Sequence, residues 1–102
     1  MQYFFRDAFE RANCDQFDLL VECYPNIRFF QPSPVKAPWH VQAFLDDGSD
    51  EPIELNFWPH KAKGQRRPER AVDGWSAVHV MISCAVKDAN ERAAADCDLI
   101  EQ

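Results

Sequence analysis

Glycine is scarce in this chain, three in 102 residues, and the four cysteines, Cys14, Cys23, Cys84 and Cys97, fall in no CxxC spacing. With so few glycines there is no GxGxxG turn and no Walker loop, which removes the usual backbone cradles for nucleotide phosphates. GxSxG and HExxH are missing as well, so the familiar hydrolase mechanisms lack their parts. His40, His60 and His79 are as scattered as the thiols, and no tight ligand spacing marks a structural zinc. No apolar run approaches the roughly eighteen residues of a membrane span. The opening Met1-Gln2-Tyr3-Phe4-Phe5-Arg6-Asp7 lacks the basic and then apolar pattern of a secretory signal. The expectation is a cytoplasmic protein away from the membrane, with free thiols packed as small hydrophobes and with no catalytic residue, metal or cofactor.

What the chain does have is apolar mass. At 46% hydrophobic residues with thirteen aromatics, it can bury one core over residues 1–102 without staples. Phe5, Phe9 and Ala12 share a helical face, and Asn13 or Asp15 can interrupt that helix. Residues 15–24 fit a second helical stretch through Phe17, Leu20, Val21 and Tyr24, and also a strand through Phe17, Leu19, Val21 and Cys23; helix is favoured. Ile27 to Phe30 reads as a short strand, and Pro32, Pro34 and Pro38 make an extended connection.

The alternation of Trp39, Val41, Ala43 and Leu45, a polar turn from Asp46 to Pro52, and Ile53, Leu55 and Phe57 predict an antiparallel hairpin closed by Pro59. Asp73 is a candidate N-cap for a long helix whose apolar stripe is Trp75, Val78, His79, Ile82, Ala85, Val86, Ala89 and Ala93. The predicted fold is α+β: an N-terminal helical region, a three-stranded antiparallel sheet and a long C-terminal helix packed on one face. His79 and Cys84, five apart on that helix, point in different directions and make no dyad.

Charge is unevenly distributed. Residues 60–70 carry Lys61, Lys63, Arg66, Arg67 and Arg70 against Glu69, a local charge of +4 in a chain of −6, so the remainder stands at −10. Five cations in an expected loop beside Trp58 and His60 match the chemistry of phosphate contact, with the indole as a stacking surface. The competing reading is a solvated loop with Trp58 packed down. Asp46, Asp47, Asp50 and Glu51 in the hairpin turn, with Asp96, Asp98 and Glu101 near the C-terminus, form the acidic pole. Carboxylates in a turn also have a local backbone role, so no hydrolytic pair is read from them.

Two resemblances bear on these residues. The order of helical region, three strands and helix resembles a double-stranded RNA-binding domain, in which lysines at the start of the last helix contact phosphates; here Lys61 and Lys63 precede the helix by a longer loop. Leu55-Asn56-Phe57-Trp58-Pro59, followed by a basic glycine-containing stretch and a Gly-Trp-led helix, resembles short phage and prophage proteins over roughly residues 39–80. That likeness implies a non-enzymatic binding protein that docks on a host protein or nucleoprotein complex handling nucleic acid, as anti-CRISPR inhibitors do, its acidic pole meeting a basic groove. Direct DNA or RNA binding through residues 60–70 is the alternative. Ala93, Ala94 and Ala95 beside Leu99 and Ile100 would permit a homodimer contact through the final helix.

Overall fold

The computed structural model describes Tyr3 and residues 5–101, with side chains described as far as Ala94. The expected acidic residues Asp96, Asp98 and Glu101, and the expected dimer residues Ala95, Leu99 and Ile100, have side chains outside that range. The chain runs α1 (Ala8–Cys23), β1 (Phe29–Phe30), β2 (Val41–Leu45), β3 (Ile53–Trp58), a 3₁₀ turn (Pro59–Lys61), β4 (Lys63–Arg66), β5 (Val72–Asp73) and α2 (Trp75–Glu101). The strands form one antiparallel sheet in sequence order. The fold is α+β, with five strands where three were expected.

One continuous helix replaces the interrupted N-terminal region. Asp7 caps it, its Oδ1 accepting from the Glu10 amide at 2.8 Å, while the Glu10 carboxylate reaches back to the Arg6 amide at 2.8 Å. Asn13 and Asp15 do not break it: Asn13 turns its amide to the His60 carbonyl at 3.0 Å, and Asp15 faces solvent. Residues 15–23 are helical because Cys14, Phe17 and Leu20 then fall on one buried stripe, which strand alternation would have split between two faces. Burial pushes the Cys14 thiol up to about 11, so it packs as a protonated hydrophobe. Pro25 follows the cap at Tyr24 and ends the element.

Phe17 is the hub of the core. Its ring meets Phe57 at 5.4 Å, Trp75 at 5.6 Å and Phe29 at 5.8 Å between centroids, joining α1 to the sheet and to α2. Val41, Ala43 and Leu45 of β2, Ile53, Leu55 and Phe57 of β3, and Val78, Ile82, Ala85 and Ala89 of α2 complete it. Both helices therefore cover the same face of the sheet. Tyr24 fastens the end of α1 to α2, its hydroxyl lying 3.3 Å from His79 Nδ1 and 3.2 Å from Ser83 Oγ, which accounts for His79 as a boundary histidine.

Of the two unexpected strands, β4 lies in the stretch expected to be a basic loop and β5 just after it. The core-facing positions of β4 are Gly64, opposite Phe57, and Arg66, opposite Leu55, so no apolar alternation advertises it. A Cβ on Gly64 would come within 3.1 Å of Met81 Cε and 3.2 Å of Val78 Cγ2; the missing side chain lets α2 approach the sheet. Asp73 is not the helix N-cap. It belongs to β5, where it pairs with Lys63 at 3.6 Å, and Gly74 at φ +89° turns the chain into α2.

Candidate functional site

Period-two geometry sends every second residue of the hairpin away from the helices. Gln42 and Phe44 of β2, Glu54, Asn56 and Trp58 of β3, and Lys63 and Gln65 of β4 share this outer face, with Phe30 of β1 alongside Gln42. Among the described residues, no helix packs on it. Phe44 is 44% exposed although its strand has both neighbouring apolar positions buried, so it is an aromatic set outward.

The aromatics on this face come in two stacked pairs. Phe30 and Phe44 lie 6.0 Å apart at 23°, and His40 and Trp58 lie 5.5 Å apart at 15°. Between them runs a polar lattice. Asn56 Oδ1 accepts from His40 Nε2 at 2.8 Å and from Gln42 Nε2 at 3.3 Å, while Asn56 Nδ2 donates to Glu54 Oε2 at 2.9 Å. Arg67 Nη1 reaches the same Glu54 oxygen at 3.3 Å. Asn56 is 5% exposed and engaged through both its Oδ1 and its Nδ2, which locks the lattice. These contacts, the Asn56 amide first, hold the Glu54 carboxyl below its ordinary range, so it stays ionised. Arg28 stands exposed beside Phe30 and Phe44, the three lining a depression of about 390 Å³.

The residues expected to act through the basic stretch are dispersed. Lys63 faces outward and pairs with Asp73. Arg66 faces the covered side: it is 16% exposed, with Asp88 of α2 at 2.6 Å and Glu69 at 3.6 Å, so it is a structural cation. Arg67 is tied to Glu54. Lys61 and Arg70 are exposed and have no ion pair among the described residues. His60 is half-buried in the 3₁₀ turn, and burial lowers its pKa against the opposing pull of Glu10, which keeps the ring neutral. Its Nδ1 is buried without a hydrogen-bond partner among the described residues.

The acidic pole is also divided. Asp46, Asp50 and Glu51 are exposed in the hairpin turn, Asp46 accepting from the Gly48 amide at 2.9 Å. Asp47 does not offer its carboxylate to a partner. It is 2% exposed, accepts from Ser49 and meets Arg92 of α2 at 3.0 Å, contacts that pull its pKa down to about 2, Ser49 contributing most.

Trp58 also forms one wall of a cleft of about 510 Å³ at the end of the hairpin, with Trp39, Phe5, Arg6, Glu10, His60 and Lys61. The pairing of Phe30 with Phe44, and the roles of Arg28, His40 and Trp39, were not among the expected site residues; the available signal was Phe44 occupying an outward position in a strand of clean alternation. No group of histidine, cysteine or carboxylate side chains able to hold a metal occurs among the described residues, and no described helix is long and apolar enough to cross a membrane. Comparison with protein-family models, curated proteins and solved structures finds no match. The functional reading therefore rests on the geometry of the outer face.

Proposed function

We propose that the chain is a non-enzymatic, cytoplasmic binding domain of phage type that takes single-stranded nucleic acid on the outer face of its sheet. The observation that carries this reading is the pair of stacked aromatic platforms, Phe30 with Phe44 and His40 with Trp58, on an uncovered sheet face rimmed by Arg28, Lys63 and Arg67. Bases stack on aromatic rings in a sequence-tolerant way, worth about 1–3 kcal/mol each, and guanidinium groups at the rim meet the phosphates. Side-chain amides such as Gln42 and Gln65 between the platforms suit base edges. Duplex binding through the helices fits less well, because α1 carries Glu10, Asp15, Asp18 and Glu22 against Arg11 alone.

The test is fluorescence anisotropy of labelled oligothymidylate and oligouridylate. With Arg28, Lys61 and Arg70 in no ion pair among the described residues, and Arg67 and Lys63 able to exchange partners, three to five phosphates give a log affinity against log salt slope of about −2 to −3.5. Trp58→Ala weakens binding about fivefold to a hundredfold. Retention that is independent of salt and of Trp58 removes the proposal.

A second reading keeps the expected docking on a host nucleic-acid-handling complex, in the manner of an anti-CRISPR inhibitor. It is favoured by the exposed cluster Asp46, Asp50 and Glu51 at the far end of the hairpin from Trp58. Reversing Asp50 and Glu51 to lysine then abolishes co-purification of a host complex from nuclease-treated lysate, and intact co-purification excludes it.

A further inference from the structure

The cleft beyond Trp58 has a composition that the outer face does not explain. Trp58 serves two surfaces at once, stacking on His40 at the edge of the outer face and walling the cleft, so a strand crossing the face is led directly into it. Trp39, 44% exposed, and Phe5 supply two further aromatic walls. The volume, about 510 Å³, lies within the range of small-ligand pockets.

Its charge is specific. Arg6 is held by Glu10 through Nε and Nη2, yet its side chain remains 84% exposed and its Nη1 donors are uncommitted to Glu10. Lys61 stands exposed in the same wall. Glu10, held ionised chiefly by the Arg6 side chain, removes one positive charge, and His60 is neutral. The cleft is left with a single net positive charge, which complements one phosphodiester and not a polyphosphate.

We infer that this cleft is an anchor site for one nucleotide of the bound strand, the base lying against Trp39 and Trp58 and its phosphodiester bridging Arg6 and Lys61. The inference rests on the single-strand reading given above, and it adds a position at which one residue of the strand is held more tightly than its neighbours on the open face.

The test uses the complete chain with the dinucleotide TpT, thymidine, inorganic phosphate and oligothymidylate, followed by indole N–H resonances. The chain has three indoles. Those of Trp39 and Trp58 shift on adding TpT, whereas that of Trp75, half-buried against Phe17 with its indole N–H covered, stays fixed and serves as the internal control. Lys61→Ala and Trp39→Ala each weaken TpT at least fivefold, while Phe44→Ala leaves TpT unchanged and weakens only the oligomer. Both altered aromatics are substantially exposed, and the unchanged Trp75 resonance verifies the fold of each variant.

Equal responses to thymidine and TpT overturn the phosphate contact and with it the anchor. Oligothymidylate binding that depends on Phe44 but ignores Trp39 and Lys61 overturns the anchor and leaves the open-face reading standing. TpT binding in the cleft without oligomer binding removes the open-face function and overturns the anchor, because no strand is then held. A cleft that ignores TpT, and accepts an aromatic peptide instead, overturns the inference.

Discussion

The two faces of the sheet are made from the same strands and do opposite work. The covered face is closed: Val41, Ala43, Leu45, Ile53, Leu55 and Phe57 are sealed under α1 and α2, and the one charged side chain it carries from β4, Arg66, is answered by Asp88 and Glu69. The open face carries Phe44, Trp58 and His40 in stacked pairs around an amide lattice, with its cations at the rim. Phe44 keeps 44% of its surface in water and Phe57 keeps none, so the outward ring contributes less to folding than the inward one. Their placement at regular outward positions in the hairpin makes sense as contact surface. The contrast teaches that aromatic content alone does not separate core from site; its phase in the strand does.

That contrast can be broken most forcefully by truncating one aromatic on each face. Phe57→Ala removes the partner of Phe17 and Phe29 and costs about 3–5 kcal/mol in urea unfolding. Phe44→Ala, on the neighbouring strand but facing out, costs less than about 1 kcal/mol on the same assay. Equal losses would mean that the outer face is structural.

A smaller effect comes from the close approach of α2 to β4. Gly64→Ala places a methyl near Met81 Cε and Val78 Cγ2 and destabilises by about 1–2 kcal/mol, softened because Met81 is flexible, with nucleic-acid affinity unchanged. The smallest is the turn latch. The Asp47 carboxyl is depressed in the folded state, so its contribution is complete above the unfolded pKa of about 3.8 and is lost as pH falls toward about 2. Arg92→Ala raises the Asp47 pKa, seen by carboxyl titration in NMR, and shifts that acid limb to higher pH; an unmoved Asp47 would show the pair to be incidental.

The legible part of the fold was the part written in apolar period. The hairpin alternation placed β2 and β3, and the stripe of Val78, Ile82, Ala85 and Ala89 placed α2. β4 was hidden because its inward positions hold a glycine, filled by its neighbours' side chains, and an arginine that finds its counter-ion on a distant helix. Asp73 read as a cap because its type suits one, while its role is set by Lys63 across a strand pair that local sequence cannot show. The charge of residues 60–70 was visible, but its neutralisation was not, since Asp73, Asp88 and Glu54 come from elsewhere in the chain. Trp58 was picked out from the sequence. Its partner His40 and the Phe30–Phe44 pair emerge only with the register of β1 on β2 and β2 on β3.

The most direct test of the central claim is a map of backbone amide shifts on titration with oligothymidylate. The largest shifts fall on Phe30, Gln42, Phe44, Asn56, Trp58 and Gln65, the outward set of β1 to β4, with Val80 and Cys84 on the exposed side of α2 unmoved. Shifts confined to α2 or to the acidic hairpin turn, or no shifts at all, would contradict it.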